Sequence, residues 1–439
     1  MMISADTHAG VRPSDYAKWL EPKYRDGVSD LIKHTEEFEK MVWLHTPGGA
    51  SDAAIDPHGV LPRRAEGLWT AAMRLHDLES EGFVGEVIFP GDMATIGMYY
   101  SNLNLPCPPE YRAAGARAHN RFIADLCSLA PGRMRGVAQM EPWPDMQACV
   151  REIAWAKGAD FAAISLPRFP GIEPNQPPLT SREWDPFWAA CVDHDIAASI
   201  HIGHLHPQGS ALPVMKAANL PENGFPDPAV NGDIHFDAGR RPLWQLIFSG
   251  VFDRFPTLRL SFTEIRCEWI APTLAHLERR LDDIRFSKRD WKLPKLRPTE
   301  YWRRNCAVGA QIRPYEMSLR HQIGVENMLF GTDYPHAEGT WPNTREWLQL
   351  ALAGVNEHEA RLILGENSAK FYGFDAAALA PHVARVGLAP EEILGAHAVP
   401  QSVIDNLQWR GGFLSRAHRY DPDPVDPIMA EDERVLAPA

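Results

Sequence analysis

Short apolar runs, many of them rich in β-branched residues, alternate with stretches of helical periodicity along most of the chain. Such runs are typical of buried strands. In the helical stretches, apolar residues recur every three to four positions, as in 146–159 and from 242 onward. Eight runs predict strands, at residues 2–6, 86–91, 134–140, 162–166, 197–202, 258–264, 305–310 and 327–333. Strands that alternate with helices in this number predict an α/β fold, a closed parallel (β/α)8 barrel of the TIM type.

A doubly wound open sheet is the competing architecture for the same alternation of strands and helices. In nucleotide-binding versions of that sheet, a glycine-rich phosphate loop follows the first strand. The first strand here continues as SADTHAG, which contains no such loop. The barrel is therefore the fold that we predict.

Two connections are longer than a compact barrel needs, 31–80 after the first strand and 205–240 after the fifth. Loops beyond ~15 residues usually cover a site or stay disordered. Both follow the carboxyl ends of strands, where such barrels carry their active sites. We expect them to form pocket walls and a lid on a barrel domain spanning 1–374. Residues 375–439 then form a helical extension with an extended, acidic and proline-rich tail.

Composition narrows the class of partner. The 439 residues carry a formal net charge of -13, which argues against nucleic acid or an anionic membrane as the main partner. No apolar run reaches the ~20 residues of a membrane span. Six scattered cysteines form no C-x-x-C pair, and the amino terminus has no basic and apolar secretion signal. We therefore expect a cytoplasmic protein with reduced thiols.

Carboxylates and imidazoles follow several of the predicted strands at one end of the barrel. The first strand carries Asp6 and His8, the fifth His201, the sixth Glu264 and the eighth Asp333. Residues two apart on a strand face the same way, so Asp6 and His8 point together. The strand ends of a barrel converge on one cavity. Oxygen and imidazole donors gathered there suit zinc, manganese or iron.

Each of these residues also has a purely structural explanation. Asp6 could cap the following segment, and Asp333 could form an Asx-turn with the backbone that follows it. His8 or His201 could be a core imidazole bonded to a carbonyl group. Metal-type residues at the ends of the first, fifth and eighth strands together favour a metal site over these separate explanations.

Three further polar residues lie near the same strand ends. Arg266 could bind a substrate carboxylate in bidentate fashion, or it could form a structural ion pair with Glu264. His204 and His336 are predicted to line the pocket and contact the substrate rather than bind the metal.

The chain resembles the amidohydrolase-related family of metal-dependent barrel enzymes over residues 2–374. Within that family it is similar to the branch containing aminocarboxymuconate semialdehyde decarboxylase and γ-resorcylate decarboxylase. The resemblance rests on ISADTH, SIHIGH, GVFDRFPTLRLSFTE, NMLFGTDYPH and LILGENSAKFYGF. It implies that Asp6, His8, His201 and Asp333 bind the metal. The first-strand pair is acid-x-His, as in some members of the family.

Two positions refine what the resemblance implies. Binuclear relatives bridge two metals with Lys or Glu at the end of the fourth strand, which here reads AAISLPRF. We therefore expect one divalent ion, zinc, with manganese or iron as alternatives. Related decarboxylases carry a His-Gly-Gly stretch after the sixth strand, where this chain has Glu264. With that His replaced, we expect Asp333, Glu264 and His201 to form the catalytic set.

The resemblance implies non-oxidative decarboxylation of a small aromatic or unsaturated carboxylic acid. Hydrolysis of an amide, lactone or C–C bond requires the same metal ligands and is the first alternative. A barrel that binds a ligand without chemistry is the second, and the loss of the sixth-strand His is its only support. Members of this branch often assemble, so a homodimer or homotetramer is expected.

Overall fold

The computed structural model describes residues 1–11, 13–25, 29, 33, 66–91, 109–141, 143, 145–166, 176–201, 239–286, 293–336 and 339–411. Eight strands form one sheet in which each is paired in parallel with the next along the chain. The strands are β1 Met2–Ala9, β2 Phe83–Pro90, β3 Met134–Gln139, β4 Ala163–Ser165, β5 Ala197–His201, β6 Leu260–Thr263, β7 Cys306–Ala310 and β8 Met328–Phe330. Each of the eight predicted strands is present.

The sheet curls until its last strand meets its first. The backbone N–H of Asp333 donates to the carbonyl of Asp6 at 2.9 Å, and that of His8 donates to Tyr334 at 2.6 Å. Below these bonds, the hydroxyls of Ser4 and Thr332 lie 2.9 Å apart. The prediction of a parallel (β/α)8 barrel is confirmed, with closure made by the segment just beyond β8.

Helices follow most of the strands. The α-helices are Ala71–Ser80, Pro109–Cys127, Met146–Gly158, Asp185–Asp193, 239–248, Val251–Arg254, Ile270–Phe286, Pro298–Asn305, Pro314–Ser318, Arg320–Ile323, Thr344–Ala351, Glu357–Arg361, Asn367–Tyr372, Ala376–Val386, Pro390–Ile393 and Gln401–Gly411. Leu362–Glu366 is π-helical, and short 3-10 helices span Pro13–Lys18, Pro22–Tyr24, Arg182–Trp184 and Val325–Asn327.

Small and branched apolar side chains fill the barrel. Ala5, Ala197 and Ala307 are buried in one cluster with side chains from the other strands, and Phe374 and Leu379 join that cluster from beyond β8. The chain after β8 therefore packs against the barrel interior. A second, larger core joins side chains of the strands to those of the helices, and it holds fully buried tryptophans such as Trp184 and Trp302.

The carboxyl-terminal helices are tied to the barrel through Glu79. Arg385, on helix Ala376–Val386, donates to Glu79 Oε2 at 2.8 Å, and Arg133 lies 2.8 Å from Glu79 Oε1. Hydrogen bonds from Arg385 and Arg133 lower the pKa of Glu79 to about 2. The division into a barrel domain and an extension from 375 stays a prediction, and residues 412–439 lie outside the described part.

Three further expectations concern the long loops, the cysteines and membrane-spanning helices. The predicted lid at 205–240 lies outside the described residues up to 238, and so does 31–65 apart from position 33. The five cysteines in the described ranges are free and buried, as expected. None of the helices described is long and apolar enough to cross a membrane.

Candidate metal centre

β1 carries two of the predicted ligands and a bulge beside them. The pairing of β1 with β2 shifts register between Ser4 and Thr7, an irregularity often found next to active sites. Nε2 of His8 lies 3.5 Å from Oδ1 of Asp6. Both side chains are buried.

The ends of the other strands bring three more donors to the same point. His201, the last residue of β5, has its Nε2 3.6 Å from Asp6 Oδ1 and 3.4 Å from Glu264 Oε2. Asp333 Oδ1 lies 3.3 Å from His8 Nε2. One ligand atom each from Asp6, His8, His201 and Glu264 fits within 4.8 Å of the others. The structure therefore brings together the four predicted ligands and the predicted acid/base residue of β6.

His8 is held with one ring nitrogen facing this cluster. Its Nδ1 lies 2.7 Å from the carbonyl of Pro90, which can only accept, so Nδ1 carries the proton and Nε2 a lone pair. Burial, then the nearby His336 and His201, hold the pKa of His8 well below its usual range. A neutral imidazole oriented by a backbone carbonyl is the usual state of a metal-binding histidine.

Asp6 provides the test of whether the residues fit a cation. It is fully buried, and neither carboxylate oxygen accepts a hydrogen bond from any residue in the described ranges. A buried carboxylate without donors is strongly unfavourable unless a cation balances it. A divalent ion among these oxygen and imidazole donors satisfies Asp6, so the donor set fits a metal.

Two of the carboxylates are presented by strained turns rather than by strands. Glu264 follows β6 and Asp333 comes three residues after β8, and both have φ of 57°. Non-glycine residues rarely adopt this conformation, and when they do it is often at functional sites. The predicted strand 327–333 is thus too long: it ends at Phe330, and the turn delivers Asp333.

His336 and Gln311 surround Asp333. Nδ1 of His336 is 2.7 Å from Asp333 Oδ1, and its ring stacks on that of His8 at 3.9 Å between centroids. Gln311 donates from Nε2 to Asp333 Oδ2 at 2.8 Å. Gln311 was not among the predicted site residues, although its sequence position, a polar residue directly after the seventh strand, was a visible signal.

A buried ion pair supports the cluster from behind β1. Arg74 Nη2 lies 2.6 Å from Glu86 Oε2, and Arg74 also donates to the carbonyl of His8. Both charged side chains are almost entirely buried. This pair was not predicted, and its one signal in the sequence was an acidic residue within the apolar run GEVIFP.

The two remaining predicted residues are Arg266 and His204. Arg266 Nη1 lies 3.7 Å from Glu268 Oε1, and the carbonyl of Arg266 accepts from the indole of Trp269. A contact between Arg266 and a substrate therefore stays a prediction. His204 lies outside the described residues.

Comparison with known proteins agrees with this fold. A family model described as amidohydrolase matches residues 110–374, more than half of the chain. The chain belongs to the amidohydrolase family. The resemblance seen in the sequence motifs is thereby confirmed.

A 2-keto-4-carboxy-3-hexenedioate hydratase from Sphingobium sp. is 29% identical over 154 residues. That match spans 33% of this chain and 38% of the hydratase. It therefore relates this amidohydrolase-family chain to less than half of that enzyme.

Solved amidohydrolase barrels share the fold. A 5-carboxyvanillate decarboxylase from Novosphingobium aromaticivorans, complexed with manganese and 4-hydroxy-3-methoxy-5-nitrobenzoic acid, has a TM-score of 0.60 at 17% identity. The similarity covers 85% of this chain and 96% of that one. A 2,6-dihydroxybenzoate decarboxylase from Rhizobium has a TM-score of 0.58 at 15% identity, covering 85% and 99%.

Proposed function

We propose that this amidohydrolase-family protein is a metal-dependent carboxy-lyase acting on a small aromatic or unsaturated carboxylic acid. The observation that carries the proposal is the buried cluster in which Asp6 has no hydrogen-bond donor among the described residues. Asp6, His8, His201 and Asp333 would hold one divalent cation, with Glu264 beside them at the end of β6.

One cation rather than two is supported by the fourth strand. β4 ends at Ser165 and is followed by Leu166, so no Lys or Glu stands there to bridge a second ion. Zinc remains our expectation, and manganese and iron suit the same oxygen and nitrogen donors. The manganese in the Novosphingobium enzyme supports manganese as the first alternative.

The bound ion would supply Lewis acidity toward a carboxylate and a neighbouring oxygen of the substrate. Decarboxylation breaks the bond between the carboxyl group and the substrate carbon and leaves the electron pair on that carbon. The protein must therefore deliver one proton there. We propose that this proton is delivered by the pair of Asp333 and His336, whose Oδ1 and Nδ1 atoms are 2.7 Å apart. Glu264, 3.4 Å from His201, is the second acid/base group.

Arg266 is proposed to bind the substrate carboxylate at the edge of the site. It lies two residues beyond Glu264 in the same turn, and 19% of its side chain is exposed. A planar guanidinium can hold a carboxylate through two parallel hydrogen bonds. The expected homodimer or homotetramer and the cytoplasmic location remain predictions.

Hydration of a C=C bond is a second candidate, favoured by the similarity to the hydratase. Water would add across the double bond of an unsaturated acid, and no carbon dioxide would leave. Hydrolysis of an amide, lactone or C–C bond stays an alternative because it requires the same donors.

The test is an assay of metal-loaded protein against hydroxybenzoates and unsaturated dicarboxylic acids. Carbon dioxide release is followed together with loss of substrate absorbance, and amides and lactones form the comparison set. We expect carbon dioxide from at least one acid, abolished in Asp333→Asn and retained in Asp15→Asn, which changes an exposed residue. Absorbance loss without carbon dioxide would favour hydration, and turnover of only the amides or lactones would favour hydrolysis. No turnover of any compound would favour the non-catalytic binding protein.

A further inference from the structure

Gln311 has no role in the proposed reaction, but its side chain contacts one of the proposed metal ligands. It directly follows β7, and its side chain is only 7% exposed. Its amide Nε2 donates to Oδ2 of Asp333 at 2.8 Å. An amide is a neutral donor, so this contact holds the carboxylate in place without adding charge to the cluster.

The two oxygens of Asp333 have different neighbours. Oδ2 accepts from Gln311, whereas Oδ1 lies 3.3 Å from His8 Nε2 and 2.7 Å from His336 Nδ1. Rotation about the last torsion of an aspartate is broad, and the two oxygens of a carboxylate are equivalent. A donor bound to one oxygen therefore fixes the angle of the carboxylate plane, here at an angle where the other oxygen faces the imidazoles.

The backbone of Asp333 is already fixed by other contacts. Its N–H donates to the carbonyl of Asp6, and its own carbonyl accepts from His336. With φ at 57°, the turn has little freedom left. The side-chain torsion is therefore the degree of freedom that Gln311 controls.

We propose that Gln311 is a positioning residue that holds Asp333 in its metal-binding orientation. The inference rests on the proposed function only in requiring that the cluster binds a divalent metal. Groups that orient a metal ligand typically change metal affinity by 10–100-fold when they are removed. We expect a loss in that range for a variant that lacks the amide donor.

The test measures metal affinity rather than turnover. Gln311→Met keeps the length of the side chain and removes the donor, and Gln322→Met makes the same change at an exposed position. Purified full-length proteins are stripped of metal, and Mn²⁺ or Zn²⁺ binding is measured by competition with a chromophoric chelator. The melting temperature of each metal-free protein is recorded in parallel.

We expect Gln311→Met to bind metal ~10–100-fold more weakly than wild type. Its metal-free melting temperature should stay close to that of wild type. The metal affinity of Gln322→Met should equal that of wild type. Unchanged affinity in Gln311→Met, or an equal loss in Gln322→Met, would overturn the role of Gln311. If Gln311→Met is unstable, Gln311→Asn, whose amide falls one methylene short, replaces it. Wild-type protein that binds no metal would instead refute the proposed function.

Discussion

Removing the charge of Arg74 is a demanding test of how the barrel supports its candidate site. Arg74 lies on helix Ala71–Ser80 and is fully buried. It donates to both oxygens of Glu86 at 3.1 and 2.6 Å, to Thr7 Oγ1 at 3.0 Å and to the carbonyl of Gly67 at 2.9 Å. Its remaining bond is to the carbonyl of His8. One side chain thus joins a helix, β1 and β2.

Arg74→Met should destabilise the protein by ~3–5 kcal/mol, because it leaves the carboxylate of Glu86 buried without its cation. The double variant Arg74→Met, Glu86→Leu removes both charges, and replacing a whole buried pair by apolar residues is often neutral. The two backbone carbonyls that Arg74 satisfied would still lose a donor, at ~1 kcal/mol each. The double variant should therefore be ~1–3 kcal/mol more stable than the single one.

Urea unfolding at pH 7 measures these differences. Arg361→Met is the matched control, since Arg361 forms an exposed pair with Glu357 at 2.6 Å, worth only ~0.3–0.5 kcal/mol. Two results would contradict a dominant cost from the uncompensated charge of Glu86. One is a loss of less than ~1 kcal/mol in the free energy of unfolding of Arg74→Met. The other is a double variant that is less stable than the single one.

Two further predictions concern the cluster and the carboxyl-terminal helices. A Cβ at Gly331 would lie 2.5 Å from Cβ of Asp6, so Gly331→Ala should reduce the free energy of unfolding by ~1–3 kcal/mol and weaken metal binding. Gly158→Ala places its Cβ in open space and should have neither effect. Equal midpoints of urea unfolding for the two variants would contradict the clash. Glu79 has a folded-state pKa of about 2, below its ordinary 4.5, so its bond to Arg385 stabilises fully above about pH 4.5 and less as pH falls toward 2. In a thermal scan, the melting temperature of wild type should therefore exceed that of Glu79→Gln at pH 7, and the difference should narrow below pH 4.5 and close as pH approaches 2. A difference that does not depend on pH would contradict that linkage.

The barrel and the positions of the four proposed ligands could be predicted because both depend on local features of the sequence. Strand-length apolar runs repeat along the chain. Asp6 and His201 belong to those runs, and His8 stands two residues after Asp6 in the same strand. The parallel arrangement of the strands then forces their carboxyl ends to one face. Asp333 lies beside the other three, as the barrel topology predicts, although the turn beyond β8 and not the strand presents it.

The supporting contacts could not be derived in the same way. Arg74 and Glu86 are 12 residues apart, and their pairing depends on how one helix packs across two strands. Gln311 and Asp333 come from different strand ends, and only the closed barrel sets their distance. The bulge in β1 is a matter of register, which apolar periodicity does not encode.

The metal content of the purified protein shows whether the cluster around Asp6 is a metal centre. Protein purified without added metal is analysed by mass spectrometry beside Asp6→Asn and the exposed control Asp15→Asn. We expect about one equivalent of zinc, manganese or iron in wild type and Asp15→Asn, and loss of the metal in Asp6→Asn, because a neutral amide replaces the anionic oxygen. Wild-type protein that holds no metal and gains none on addition, or Asp6→Asn that retains a full equivalent, would contradict a metal centre at this cluster.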